Sequence, residues 1–203
     1  MNSDRKGIRI FMDKFTNYLD DDIKEVYLHY KKYIIDDNPV IHLESFSSDI
    51  LNQIKSHDYE GFRLEKIGDF EKALYHQKVA HEFLILYAML PNVIDANHHL
   101  AMTYFSIARI SLLKEDHVDF EYYYMEFLSA TLQALLDLKH NPYLLDEINF
   151  LKDKVEDLFR FENEHNHALF EKLKHITEEV FKEFHELAEV NLDFDSTPQS
   201  IKE

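Results

Sequence analysis

The chain has 203 residues, of which 45% are hydrophobic, and its 22 lysine and arginine residues against 39 aspartate and glutamate residues give a formal net charge of −17. Three glycines and four prolines are too few for the frequent turns of a β-sandwich or a β-barrel, so the composition predicts an all-α protein. The negative charge argues against binding to nucleic-acid phosphates or to anionic membrane lipids, because both require clusters of lysine and arginine.

The sequence contains no cysteine, which excludes disulfides, thiol nucleophiles and cysteine-ligated zinc or iron–sulfur sites. Its N-terminal residues lack the apolar stretch of a signal peptide. The longest apolar run, Phe83 to Leu90, is far shorter than the roughly 18–20 residues needed to span a bilayer. We therefore expect a cytoplasmic protein without a membrane segment and without a cofactor.

Caps, prolines and hydrophobic periodicity predict seven or eight helices. The helical segments, with approximate boundaries, are 4–19, 20–35, 48–67, 70–90, 95–113, 119–139 and 142–190. In the last segment, polar residues near 162–165 interrupt a heptad-like apolar seam. This segment forms either a hairpin broken at about 163–166, which typical helix lengths favour, or one long helix that would support a homodimer through residues 142–190. We expect residues 1–190 to form one helical domain, with helices over 1–46, and 191–203 to form a disordered tail.

A helix–turn–helix pattern in the middle of the chain has small residues where close packing requires them. Gly61 would let two antiparallel helices touch, and Gly68 would permit a tight turn between them. Phe70 would cover the turn, and Ala73 and Ala80 would let the second helix approach its neighbours. This arrangement predicts a pair of closely packed antiparallel helices.

A second copy of the pattern begins forty residues later, where Ala101 takes the position of Gly61 and Ala108 takes that of Gly68. The two copies, over about residues 48–138, resemble tetratricopeptide (TPR) repeats. Their spacing is similar to that of the subclass found in kinesin light chains and in Rap-type, peptide-regulated proteins of Gram-positive bacteria. The resemblance implies stacked helix pairs that act as an adaptor or regulator by binding a protein or a peptide, without catalysis.

In TPR proteins the first helix of each repeat lines a groove, so the resemblance implies a binding surface on these helices. Apolar side chains there would anchor a partner, and cations would meet its carboxylates. The residues assigned to this groove are Lys55, Asp58, Phe62, Lys66, His98, Met102, Phe105 and Arg109. The alternative is that the aromatic side chains are covered by the terminal helices and belong to the core. The net charge favours a neutral or basic protein or short peptide as the partner.

Two other functions stay open at this point: a small acidic chaperone for a secreted or regulatory protein, and a metal-binding helical bundle. The metal alternative depends on Glu162 and His165, with His167 following, because their i, i+3 spacing is that of di-iron helical bundles. A second such motif is missing, and the sequence has no phosphate-binding loop, nucleophile elbow or His-Glu-x-x-His motif. We therefore expect that the protein is not an enzyme.

Overall fold

The computed structural model describes residues 19–35, 43–90, 93, 96–134, 144–163 and 165–195. Within these ranges the chain forms seven α-helices, one short 3₁₀ helix and no strand, which confirms the all-α prediction. The helices are α1 (Asp21–Ile35), α2 (Leu43–Lys66), α3 (Phe70–Ala88), α4 (Ala96–Leu113), α5 (His117–Gln133), α6 (Leu144–Leu158) and α7 (His167–Asp195), and the 3₁₀ helix is Phe159–Phe161. The predicted helix over 4–19 lies outside the described residues except for its last position. None of the helices in the described ranges has the length and apolar character needed to cross a bilayer.

The chain divides into two compact units, Met1–Val93 and Ile94–Glu203. The first unit contains α1 to α3, and the second contains α4 to α7. Each unit has a central antiparallel hairpin, formed by α2 with α3 in the first and by α4 with α5 in the second. The expectation of a single domain over 1–190 stays a prediction, and α7 extends beyond it to Asp195.

The turn of the first hairpin is only three residues long, since α2 ends at Lys66 and α3 begins at Phe70. The Asp69 N–H donates to the Leu64 carbonyl at 3.0 Å, and Gly68 has φ +82°, as in a Schellman motif. The Asp69 side chain then caps α3 by accepting a hydrogen bond from the Lys72 N–H at 3.4 Å. The predicted role of Gly68 as the turn residue is confirmed.

The turn of the second hairpin has the same construction 47 positions later. The Asp116 N–H donates to the Ser111 carbonyl at 2.9 Å, and Glu115 has φ 61° in the place of Gly68. Asp116 caps α5 by accepting from the Asp119 N–H at 3.0 Å. The second turn lies in the break expected between the helices over 95–113 and 119–139, but 47 rather than forty positions after the first, so Ala108 does not take the position of Gly68.

The core of the first unit joins α1, α2 and α3. Tyr27 of α1 is fully buried and meets the ring of Phe83 edge-on, with ring centroids 5.8 Å apart. Phe46 and Ile50 of α2 are also buried in this cluster. α2 begins at Leu43, ahead of the predicted start near residue 48, and the burial of Phe46 shows that the earlier turn packs into the core.

The core of the second unit is largely aromatic. The fully buried aromatic side chains are Phe120, Tyr124 and Phe127 of α5 and Phe170, Phe181 and Phe184 of α7. The Tyr124 hydroxyl and Thr177 Oγ1 share a buried hydrogen bond of 2.7 Å, which satisfies the polar end of this tyrosine. α7 packs against α5, and α6 packs against α4, so both helices of the central hairpin are covered by later parts of the chain.

The segment predicted over 142–190 is broken, since α6 ends at Leu158 and α7 begins at His167. The side chain of Asn166 stabilises the break: its Oδ1 accepts from the Asn163 N–H at 2.7 Å, and its Nδ2 donates to the Phe161 carbonyl at 3.2 Å. Asn166 is 4% exposed, so the side chain that makes these bonds is itself buried. The break is confirmed, and the alternative of one long helix is wrong.

Candidate binding surface

An exposed row of aromatic and lysine side chains lies along α2. Lys55, Tyr59, Phe62 and Lys66 follow one another at positions i, i+4, i+7 and i+11, so they share one face of the helix, which we call the α2 stripe. Tyr59 is 70% exposed and Phe62 is 44% exposed. The Lys66 Nζ lies 4.3 Å from the centre of the Phe62 ring, within the range of a cation–π contact. Aromatic surface in water beside cations is typical of protein-binding surfaces.

The predicted groove residues of α2 are exposed, but one of them has a different role. Lys55, Phe62 and Lys66 lie on the α2 stripe. The Nε2 atom of Gln77 donates to the backbone carbonyl of Asp58 at 3.2 Å and to Asp58 Oδ1 at 3.1 Å. Asp58 therefore connects α2 to α3. Sequence analysis missed Tyr59, although its i+4 spacing from Lys55 places it on the same face.

The opposite face of α2 is fitted to α3 at Gly61. A Cβ atom on Gly61 would lie 2.8 Å from Gln77 Nε2 and 3.0 Å from Gln77 Cγ, which is closer than such atoms can approach. The missing side chain makes room for the buried Gln77 amide, which then reaches Asp58. The predicted close contact at Gly61 is confirmed, and it fixes α2 with its stripe on the side away from α3.

The predicted groove residues of α4 lie in the second unit and are largely covered. His98 and Phe105 are each 4% exposed, and Met102 and Arg109 are half-buried. The ring of Phe105 lies against that of Phe127 on α5, with centroids 5.4 Å apart. The expectation of exposed side chains at His98 and Phe105 is wrong, and the core alternative holds for them. The physical reason is that α4 packs against both α5 and α6, so little of its circumference remains free.

A pair of histidines lies between α2 and α3. The Nδ1 atoms of His57 and His76 are 2.9 Å apart, so one ring donates a hydrogen bond to the other, and the ring centroids are 5.1 Å apart. Burial lowers the pKa of both rings, and for His57 the charge of His76 lowers the pKa further. Because a shared hydrogen bond requires one unprotonated Nδ1, the contact excludes the doubly protonated pair, and the lowered pKa of each ring favours the neutral forms.

Two further titratable groups are buried in the middle of α3. Glu82 is 2% exposed, and burial raises its pKa to about 8, against the influence of the Tyr27 hydroxyl and the charge of Lys31. Burial lowers the pKa of His81 to about 4. Sequence analysis did not predict that either group is buried. Apolar residues occur on several sides of α3, which leaves little exposed surface for charged side chains. This pattern could have predicted the burial of both groups.

The structure places the residues of the predicted metal site in a different group from the one that the sequence suggests. Glu162 lies with His167 and Glu171, whose potential ligand atoms are all within 4.8 Å of one another, whereas the exposed His165 lies outside this group. The Lys174 Nζ is 2.5 Å from Glu162 Oε2 and 3.1 Å from Glu171 Oε1. Since this ammonium group pairs with both carboxylates, the group is an ion-pair network near the start of α7. The predicted pairing of Glu162 with His165 is not formed.

The fold and these surfaces define an all-α protein built around two helical hairpins. Comparison with protein-family models, with curated proteins and with solved structures finds no match for this chain. Any function must therefore be argued from the surfaces described above.

Proposed function

We propose that this chain is a TPR-like adaptor or regulator of the cytoplasm that binds a protein segment or a peptide on the α2 stripe and has no catalytic activity. The observation that carries the proposal is the exposure of Tyr59 and Phe62 between two lysines on one helical face. Large aromatic side chains are the residues that contribute most to binding at protein interfaces.

The dimensions and charge of the stripe limit its partner. From Lys55 to Lys66 the helix rises by about 16 Å, which matches roughly five residues of extended peptide or three turns of a partner helix. A fitting segment has an apolar side chain over the aromatic rings and a carboxylate, from a side chain or a C-terminus, near either lysine. The net charge of −17 favours a partner that is otherwise neutral or basic.

The repeated hairpin supports the TPR-like part of the proposal. Two helix pairs have the same Schellman turn and the same aspartate cap, as repeats of one supersecondary unit would. Their spacing of 47 positions is longer than the usual TPR period of about 34 residues. The proposal therefore concerns a helical-hairpin repeat with long helices.

The test is a selection of peptides from a displayed random library, followed by affinity measurements on purified variants. Phe62→Ala is the test variant, and Phe150→Ala is the matched control. Phe150 is 54% exposed and also has a lysine four residues later, with Lys154 Nζ 5.1 Å from its ring centre, but it lies on α6.

We expect Phe62→Ala to raise the Kd of the selected peptides by about tenfold or more, and Phe150→Ala to change it less than about twofold. The free energy of unfolding of both variants should stay within about 1 kcal/mol of the parent, because both rings are exposed. Equal losses in the two variants, or no loss in Phe62→Ala, would contradict the proposal.

A further inference from the structure

A hydrogen bond between two imidazole rings joins α2 to α3. The Nδ1 atoms of His57 and His76 are 2.9 Å apart and the ring centroids are 5.1 Å apart, so the two nitrogen atoms face each other. A second polar contact lies one residue further along each helix, where Gln77 Nε2 donates to Asp58 Oδ1 at 3.1 Å. The polar link between the two helices at this level therefore depends in part on the protonation state of two histidines.

The ring-to-ring contact can hold one added proton but not two. In the neutral pair, one Nδ1 carries a hydrogen and donates it to the unprotonated Nδ1 of the other ring. If one ring gains a proton, its Nδ1–H can still donate to the neutral partner. If both rings are protonated, two N–H groups point at each other across 2.9 Å, and the two positive charges repel.

His57 is the more protected of the two rings. It is 9% exposed, and its ring lies nearly parallel to that of the core residue Phe83, with an angle of 12° and centroids 6.3 Å apart. Burial lowers the pKa of His57, and the charge of His76 lowers it further. A proton on His57 in its buried position is therefore disfavoured, above all when His76 is already charged.

The surrounding charges assign the first proton to His76. The titratable and charged groups near the pair are Asp58, Glu60 and Arg63 of α2, Tyr75 of α3, and Asp20 ahead of α1. Burial lowers the pKa of the half-buried His76, whereas the charges of Glu60 and Asp20 raise it. Glu60 is held by Arg63, whose Nε donates to Glu60 Oε2 at 2.8 Å. Neither carboxylate thus accepts a hydrogen bond that would keep both rings charged.

We propose that the His57–His76 contact is an acid-sensitive switch: α2 and α3 stay joined here while at least one ring is neutral, and they separate when both rings are protonated. The separated helices bind more protons than the joined ones below the ordinary histidine pKa of 6.5. The contribution of the pair to stability is therefore present above about pH 6.5 and is lost as the pH falls below it. The switch does not depend on peptide binding to the α2 stripe.

The experiment measures amide hydrogen exchange of the full chain by NMR at about pH 7.5 and about pH 5, relative to the exchange of an unstructured peptide at the same pH. Separated helices are marginally stable in water, so their amides exchange. His76→Gln is the test variant, because glutamine can donate to His57 Nδ1 and does not titrate. His165→Gln, at an exposed histidine of the second unit, is the control. Comparison of these chains cancels the opposite pH dependence of Glu82, which all of them contain.

We expect acidification to raise the relative exchange of amides over 53–61 and 72–80 about tenfold or more in the parent and in His165→Gln. Tenfold corresponds to one pKa unit summed over the two rings. The rise in His76→Gln should be less than about threefold. An equal rise in the parent and in His76→Gln would overturn the proposal.

A titration of the ring signals of the parent gives a second test that needs no variant. We expect His57 and His76 to titrate as a coupled pair, in two separate steps that both rings report. Two independent single-step titrations would overturn the proposal, because they would show that protonation of one ring does not affect the other.

Discussion

The first helices of the two hairpins have the predicted binding residues at equivalent positions, but only the first of these faces is exposed. When the two turns are aligned, the equivalent pairs are Lys55 and Met102, Asp58 and Phe105, and Phe62 and Arg109. Phe62 is 44% exposed, whereas Phe105 is 4% exposed against Phe127. The same helical face is thus exposed in the first unit, whereas in the second it is half-buried at Met102 and Arg109 and buried at Phe105.

The inner faces of the hairpins differ in a second way. The ring pair between the helices is His57 with His76 in the first hairpin and, at the equivalent positions, Tyr104 with Tyr123 in the second, with centroids 5.1 Å and 6.4 Å apart. The geometry is repeated, but the first hairpin contains two imidazoles, and burial lowers the pKa of both. We therefore expect the stability of the first unit to depend on pH more strongly than that of the second.

The largest expected effect concerns Glu82. Its folded-state pKa of about 8 lies above the ordinary glutamate value of 4.5, so the folded state binds more protons than the unfolded state between these values. The contribution of the neutral Glu82 carboxyl group to the free energy of unfolding is therefore fully present below about pH 4.5. It is lost as the pH rises toward 8, by roughly 4 kcal/mol at 1.36 kcal/mol per pKa unit. Glu82→Gln should be more stable than the parent by up to about this amount at pH 8.5 and nearly equal to it at pH 4.5.

Urea unfolding over this pH range checks the prediction, with the exposed Glu71→Gln as the control that should show no such trend. An equal effect of Glu82→Gln at both ends of the range would contradict the burial of the carboxyl group.

The next prediction compares how much the free energy of unfolding depends on the two equivalent faces of α2 and α4. Phe105→Ala should lower the free energy of unfolding by about 3 kcal/mol, because it leaves a cavity beside Phe127. Phe62→Ala should lower it by less than about 1 kcal/mol, because the ring is already in contact with water. Denaturant unfolding of both variants measures the difference, and similar losses would show that the two faces are covered alike.

The sequence predicts the local features of this fold better than the long-range ones. Gly61 and Gly68 are informative because each has a steric reason at its own position. The break between the helices over 95–113 and 119–139 is also predicted, but Glu115 is not recognisable as its positive-φ residue, since a non-glycine residue with positive φ leaves no sign in a single sequence. Periodicity also places Phe105 on a face of α4 without revealing that this face is buried, because α6, which packs on α4, begins more than thirty residues later.

The fit of α2 to α3 gives a smaller effect. Gly61→Val should cost about 2 kcal/mol, because the new side chain would overlap Gln77. In a Gln77→Ala background the same change should cost less, since the obstructing amide is gone. A double-mutant cycle by denaturant unfolding measures this coupling, and additive costs would mean that the two residues do not interact.

The turns give the smallest effects, and these have opposite signs. Gly68→Ala should cost about 1 kcal/mol through its positive φ alone, because a Cβ atom there would meet nothing within 4 Å. Glu115→Gly, at the equivalent turn position, should stabilise the chain by up to about 1 kcal/mol by relieving the same conformation. Thermal unfolding of the two variants tests this, and changes of the same sign would contradict the equivalence of the turns.

The central claim is that the face exposed on α2, and not the equivalent face on α4, binds the partner. The most direct test is to titrate isotope-labelled protein with a selected peptide and to map the amide shifts by NMR. We expect the shifts to concentrate between residues 55 and 66, with little change between 102 and 113. Shifts concentrated between 102 and 113, or spread evenly over both helices, would contradict the claim.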